Sequence, residues 1–262
     1  MKDPEVERRR NTDRLRDFFE ELCAGEGERG VIGVAGFSDV HDELMPRQRE
    51  RLESLVRSSL RQLQDGGSIA CIGIAYRDPV IDYIDRESDG LTDFDAWNHY
   101  AAEYDRLNQV LDRMAKQIAD RFDGIALTAT ISGIADKVGH VKDYFDMVVS
   151  HRVVAENAGI GWRGKNQLIV NEKYSCAIRF ASVILSLPLT HGSKMESRCG
   201  SCTACEDACS FIRNRDVLPD YRENCRRYIL FLGSKGITRD VCGKCIKACY
   251  RNGLLSGEFS LG

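Results

Sequence analysis

The chain has 262 residues, 43% hydrophobic and 29% charged, with a formal net charge of −3. These are ordinary proportions for a soluble globular protein with room for one large domain and one small one. They exclude a membrane-spanning helix, because apolar stretches such as residues 181–187 fall far short of the roughly 20 residues a span needs.

The first 22 residues are charged throughout, and their arginine run has no apolar stretch behind it. They fit neither a secretory nor a twin-arginine signal, and a cytoplasmic location follows. Residues 5–23 are predicted to form an amphipathic helix, with Leu15, Phe18, Phe19 and Leu22 at helical spacing. A glycine-rich break follows, then a short buried strand over 31–37. A second helix is expected over 44–64, opened by Pro46 and ended by Gly66-Gly67. Residues 68–76 (SIACIGIAY) make a second buried strand, which Asp78-Pro79 ends. A long helix over 95–122 carries Tyr100, Leu107, Val110, Leu111, Met114 and Ile118 on one side. A third strand over 124–131, a helix over 141–157 and a strand over 177–187 complete the series. Helices alternating with buried strands give an α/β or α+β layered protein. The turn around Pro188 and Gly192 sets a boundary, dividing residues 1–190 from a loop-rich module over 191–262.

Eight of the eleven cysteines lie in that module. Cys199, Cys202, Cys205 and Cys209 read C-x₂-C-x₂-C-x₃-C, the bacterial ferredoxin run for a cubane iron–sulfur cluster. Cys242, Cys245 and Cys249 repeat it with one ligand missing, and Cys225 is available to supply it. Eight thiolates suit two 4Fe–4S clusters and hence redox chemistry. In two-cluster ferredoxins the last cysteine of each run ligates the other cluster. On that logic Cys199, Cys202, Cys205 and Cys249 hold one cluster, and Cys209, Cys225, Cys242 and Cys245 hold the second. Zinc sites are usually built from two C-x₂₋₄-C pairs, which this spacing fits poorly, and disulfides need an oxidising compartment. One departure stands out: ferredoxin runs usually end Cys-Pro, whereas here Ser210 follows Cys209 and Tyr250 follows Cys249. Cys23, Cys71 and Cys176 stand alone among apolar neighbours and are expected in the core. The module carries 12 Lys and Arg against 8 Asp and Glu, an excess that would neutralise two anionic clusters.

Residues 159–165 (GIGWRGK) satisfy both G-x-G-x-x-G and G-x-x-x-x-G-K. Neither nucleotide-binding reading survives its context. Asn166 stands where a phosphate loop needs Ser or Thr, and the upstream run is helical, so Gly159 reads as a C-cap. Asp39-Val-His41 begins like the D-x-H-x-x-G signature for cobalt ligation, but Leu44 replaces the glycine and His41 reads as a surface residue.

Taken together, residues 158–170 (AGIGWRGKNQLIV), 185–189 (LSLPL), 199–209 (CGSCTACEDAC), 224–229 (NCRRYI) and 242–249 (CGKCIKAC) resemble the epoxyqueuosine reductases. The cluster motif alone is generic, but its union with G-x-G-W-x-G-K-N is specific. The resemblance implies an α+β fold: a nitroreductase-like cobalamin-binding domain, related to reductive dehalogenases, plus a two-cluster ferredoxin-like domain. It implies reduction of the epoxide of epoxyqueuosine in tRNA by two electrons, giving an alkene and water. Opening an epoxide leaves an alkoxide that needs a general acid, and the family's acid falls on Asp105, five residues after Tyr100. Tyr100, Gly161, Trp162, Gly164, Lys165 and Asn166 would contact cobalamin. The implied partners are tRNA and a reduced ferredoxin or flavodoxin as electron donor, with no membrane. Arg106-Leu107 replaces the family's Tyr-His after the acid, and the helical-repeat extension of many members has no counterpart in the residues after Cys249. These departures leave two alternatives: the same machinery acting on a small molecule, or a two-cluster electron carrier without catalysis.

Overall fold

In a computed structural model, which describes residues 3–129 and 137–255, the chain forms a mixed helix-and-sheet protein. Helix α1 (Pro4–Glu26) starts where the Asp3 carboxylate accepts from the Glu5 amide, and it stops at left-handed Gly27. The eight described strands are β1 (Gly30–Gly36), β2 (Ser68–Ala75), β3 (Glu87–Ser88), β4 (Leu91–Thr92), β5 (Ile125–Leu127), β6 (Trp162–Arg163), β7 (Ile169–Val170) and β8 (Ile178–Leu185). Four of them form an antiparallel sheet in the order β1-β2-β8-β5, while β3 with β4 and β6 with β7 are separate hairpins.

Strand β2 is buried along its whole length because both faces of the sheet are covered. Ala70, Ile72 and Ile74 point into a core shared with α1, β8 and the long helix α6 (Phe94–Phe122). Ile69 and Cys71 point into a second core. That core is closed by α2 (Phe37–Glu43), α3 (Pro46–Val56), α4 (Leu60–Gly66) and α7 (His151–Asn157). Each fully buried isoleucine contributes roughly 1.5–3 kcal/mol, so this central strand anchors both layers. One short helix, α5 (Asp78–Asp82), follows β2.

Several elements differ from the sequence reading. The first strand ends at Gly36, and Phe37 opens α2 rather than closing the strand. That helix lies on the sheet, so His41 is 8% exposed instead of a surface residue. Its Nε2 pairs with Glu53 at 2.8 Å and its Nδ1 with Asp42 at 3.2 Å. The 44–64 helix is broken by a 3₁₀ turn at Arg57–Ser59, where Arg57 takes a φ of 42°. That positive φ breaks the helical hydrogen-bond ladder, and the two serines that follow are weaker helix formers than alanine. The 141–157 helix divides into a 3₁₀ turn, Val141–Asp146, and α7, with β-branched Val148 and Val149 between them. Of the 124–131 strand, Ile125–Leu127 is paired, and residues 130–131 lie outside the described residues.

The cysteine-rich segment contributes α8 (Ala204–Asp207), α9 (Ser210–Arg213), α10 (Tyr221–Ser234) and α11 (Lys244–Leu255). It shares the main core, to which Leu232, Ile237, Val241 and Tyr250 belong. The Trp97 indole donates to the Cys242 carbonyl at 2.9 Å, and Lys247 Nζ donates to the Ile84 carbonyl at 2.6 Å. Tyr250 donates to Asp78, and Arg251 pairs with Asp82. Among the described residues no helix is long and apolar enough to cross a membrane.

Candidate functional site

The loop after α7 is folded beneath the cysteines. Gly159 takes a φ of 69° just past the helix, as its sequence position suggests for a cap. A side chain at Gly161 would meet the Val170 carbonyl across the β6–β7 hairpin, so only glycine allows that closure. Trp162 is fully buried in a small core with Val170 and Cys176, on which Cys199, Cys249 and Ile246 pack. Side-chain atoms at Gly164 would crowd Val170 and Asn166. Lys165 Nζ donates to the Cys202 carbonyl at 2.8 Å, and Arg215 donates to the Lys165 carbonyl. Asn166 is 7% exposed; its Nδ2 donates to Cys176 Sγ at 3.4 Å and its Oδ1 accepts from the Leu168 amide at 3.1 Å. The G-x-G-W-x-G-K-N run therefore props up the first cysteine loop.

Every cysteine is a free thiol. Among the described residues, no three His, Cys, Asp or Glu side chains converge closely enough to hold a single metal ion. Around one tetrahedral zinc, sulfurs bonded at about 2.3 Å stand only about 3.8 Å apart. The thiols nevertheless lie near enough to influence one another's protonation. Burial pushes Cys205 up to about 11, helped by Cys249, Glu206, Cys199 and Cys202. Burial also pushes Cys245 well up, and Cys242, Cys225, Cys209 and Cys205 add to it. Cys242 is pushed up to about 12 by burial, with Cys225 and Cys209 as its cysteine neighbours. Cys225 has exposed surface but lies in a recess; lost solvation raises it to about 11, with Cys209 as its one charged contributor. Cys249 is the exception: hydrogen bonds from Cys176 and Ser175 hold its thiol below the usual range.

Beside this cysteine wall lies a cavity of about 280 Å³. It opens where β5 ends: β5 pairs only with Ser182–Ile184, so β8 runs on past it, and Ile178, Arg179 and Phe180 border the space. Cys176 and Ile246 close the side nearest the cysteines, and His151 and Arg152 close another. Among the described residues no carboxylate lines it. The Arg179 guanidinium stacks 4.2 Å from the Tyr104 ring centroid and donates twice to Asn108 Oδ1, at 3.1 and 2.8 Å. Arg152 donates to the Gln167 carbonyl at 2.7 Å, and burial lowers its affinity for its proton. Burial depresses His151 to about 4, so its neutral ring donates from Nε2 to the Thr128 carbonyl and accepts at Nδ1 from Ser182. Among the described residues, the Asn108 Nδ2 group beside this arginine is buried without a partner. A semi-enclosed, apolar-walled space with two guanidiniums and no acid suits a ligand carrying negative charge or polar acceptors.

The sequence-derived candidates are distributed unevenly around this cavity. Tyr100 is 2% exposed, stacked 5.1 Å from Tyr76 and packed beneath Gly243, between Cys242 and Cys245. Asp105 does not border the cavity. Its Oδ2 accepts from Arg239 at 3.1 Å and from Gln109 at 3.3 Å, tying α6 to the loop before Cys242. Gly161, Trp162, Gly164, Lys165 and Asn166 sit under the cysteines, not on the cavity wall. Sequence reasoning passed over Arg179, Arg152, His151 and Ser175. An arginine at the mouth of the otherwise apolar run IRFASVIL was the available signal for the first of these.

No protein-family model matches the chain. In sequence it is similar to reductases. Over 216 residues it is 27% identical to an epoxyqueuosine reductase of Lactococcus garvieae, covering 82% of this chain and 54% of that protein. Over 61 residues it is 43% identical to the epoxyqueuosine reductase of Bacillus subtilis, covering 23% of this chain and 16% of that one. More narrowly, then, the resemblance is to epoxyqueuosine reductases, and the chain spans about half or less of the length of these curated relatives. Solved structures compare weakly. A crystal structure of epoxyqueuosine reductase with a modified tRNA-Tyr stem loop gives a TM-score of 0.41 at 22% identity, over 76% of this chain and 53% of that one. The Streptococcus thermophilus epoxyqueuosine reductase gives 0.41 at 19% identity, over 79% and 55%.

Proposed function

We propose that the chain is an iron–sulfur reductase of the epoxyqueuosine reductase type, reducing epoxyqueuosine in tRNA. The observation that carries this is eight free thiols gathered in one cysteine-rich segment that packs, through Cys176 and Ile246, beside a cationic cavity. Cys199, Cys202, Cys205 and Cys249 would hold one 4Fe–4S cluster, and Cys209, Cys225, Cys242 and Cys245 the other. The neighbour sets of Cys205 and Cys242 follow this crossed assignment. The donor set fits: the thiols are unpaired soft ligands in the number two cubanes need, and costly to ionise together unless iron offsets their charge. Two clusters supply electrons one at a time. In this reading residues 1–190 are a nitroreductase-like catalytic unit and 191–262 a ferredoxin-like one, working in the cytoplasm with reduced ferredoxin or flavodoxin as donor.

The family resemblance adds cobalamin. A 280 Å³ cavity lies at the small end for a drug-sized ligand and is smaller than a corrin. The buried Tyr100, Trp162 and Asn166 offer a corrin no open surface. Neither this cavity nor these three side chains alone would hold a corrin; a larger space of about 740 Å³, lined by His140, Val141, Lys142 and Phe145, adjoins the cavity at Phe145. What the chain's own residues do is clearer. Arg179 and Arg152 would hold an acceptor or anionic group of the ligand, Cys176 and Ile246 would separate it from the cluster, and the apolar wall would exclude water. Asp105 would serve as proton donor only after releasing Arg239. The cavity's size also favours a second reading, in which the same machinery reduces a small molecule.

Anaerobic reconstitution tests the proposal. About eight irons per chain are expected. Cys199→Ser and Cys249→Ser should remove the same four, and Cys209→Ser and Cys225→Ser the other four. Stoichiometric zinc or disulfides in the native protein would end the redox reading. Turnover of an epoxyqueuosine-bearing stem loop, lost in Asp105→Asn, supports the tRNA substrate; clusters without that turnover favour the small-molecule reading. A cobalamin titration decides whether a corrin binds.

A further inference from the structure

Cys249 is set apart from the other cysteines by what surrounds its sulfur. The Ser175 hydroxyl lies 3.1 Å from Cys249 Sγ. The Cys176 side chain packs against Cys249 in the same small core. The Cys176 thiol has one proton, and the Ile246 carbonyl at 3.9 Å is a long, weak acceptor for it. A thiolate is the stronger acceptor, so the proton goes to Cys249. Asn166 donates to Cys176 Sγ at 3.4 Å and fixes the thiol's orientation.

The backbone supports the same arrangement. Ser175 is completely buried and takes a φ of 51°, a left-handed conformation that costs a residue with a Cβ roughly 1–2 kcal/mol relative to glycine. The conformation is held by the Asn171–Ser175 bridge, in which the Asn171 amide donates to the Ser175 carbonyl at 2.8 Å. Glycine would relieve the strain but would remove the hydroxyl. Strain at a buried position persists where the surrounding structure uses the side chain it constrains.

We propose that the Ser175 hydroxyl and the Cys176 thiol donate to the Cys249 thiolate and thereby raise the reduction potential of the cluster that Cys249 ligates. The inference rests on the iron–sulfur reading above. Reduction adds negative charge to a cluster and its sulfurs, so donors aimed at a ligand sulfur stabilise the reduced form. Ser175 and Cys176 are then positioning residues: they ease reduction of the cluster nearest the cavity. Cys176, the ninth thiol of this neighbourhood, acts as a donor and not as a ligand.

The test is a redox titration of reconstituted protein, followed by the reduced-cluster EPR signal and paired with iron content. Ser175→Gly and Cys176→Ala should each keep about eight irons. Each should lower the midpoint of one cluster, by up to about tenfold in its reduction constant, or 59 mV for one electron. The other midpoint should not move. Cys176→Ser, which keeps a donor, should restore most of the shift. Ser175→Gly should melt no lower than the native protein, because strain is released; a purely structural serine would give that result with no change in potential. Eight irons with both midpoints unchanged in Ser175→Gly and Cys176→Ala would overturn the inference and leave the cluster reading standing. Loss of four irons in Cys176→Ala would overturn it by making Cys176 a ligand. Failure of the unaltered protein to hold cubane clusters would instead sink the reading beneath it.

Discussion

Replacing Gly243 with alanine examines how the second cysteine loop is seated. Gly243 lies between Cys242 and Lys244, takes a φ of 84°, and packs on the buried face of α6. A Cβ there would lie 2.8 and 3.0 Å from ring carbons of Tyr100 and 2.8 Å from Ile84 Cδ1. Tyr100 cannot yield, because it is held at 5.1 Å against Tyr76 in the core. Left-handed backbone costs a non-glycine residue roughly 1–2 kcal/mol and overpacking costs roughly 1–3 kcal/mol, so Gly243→Ala should lose about 3 kcal/mol in all. At about 3 °C per kcal/mol for a chain of this size, melting should fall by about 10 °C. Scanning calorimetry or fluorimetry of the reconstituted protein measures the loss, and iron content shows whether Cys242 and Cys245 still grip their metal. Tyr100→Leu should make room for the methyl group without changing the backbone conformation. The double variant should therefore recover the packing share, about half of the loss, relative to Tyr100→Leu alone. A Gly243→Ala protein that melts within 1–2 °C of native would refute both the strain and the contact.

Two further predictions concern charge. His151 is held neutral, depressed to about 4 by burial, against about 6.5 in the unfolded chain. As pH falls the unfolded chain takes up the proton first, so stability is flat above about 6.5 and declines between about 6.5 and 4, by at most about 3 kcal/mol. Urea midpoints at pH 7.5 and 4.5 measure this decline, and His151→Gln should remove most of it. Glu223 is buried, accepts from Arg226, Arg227 and the Val141 amide, and is lowered to about 2 chiefly by Arg226. Its contribution is present above about 4.5 and is lost as pH falls through about 2, a window below that of His151. Glu223→Gln at pH 7 leaves two guanidiniums without their carboxylate and should cost about 3 kcal/mol. Because α10 carries Cys225 two residues away, it should also loosen the four irons assigned to that cysteine's cluster; retention of both stability and iron would contradict this.

What the sequence conveyed and what it concealed have physical causes. The cysteine spacing was legible because short-range ligation demands fixed local intervals, and the crossed neighbour sets of Cys205 and Cys242 follow from that spacing. The long helix was legible because its buried side repeats with helical period over 29 residues, and β2 because both of its faces are apolar. Boundaries failed where propensity is weak, as at Arg57–Ser59 and at Val148-Val149. His41 was misjudged because a lone polar residue carries no sign of the helix packed around it; only the fold places Glu53 within reach. The cavity was invisible for the same reason. Arg179, Arg152 and His151 come from two elements that meet only when β8 extends beyond β5 and α7 lies over the sheet. Cys176 shows the limit most directly. Its apolar surroundings in sequence predict a core thiol, and it is buried, but the side chain it touches is Cys249, 73 positions away. A local pattern can state that a residue is inside; only the tertiary contact turns an inert core thiol into a donor on a ligand sulfur.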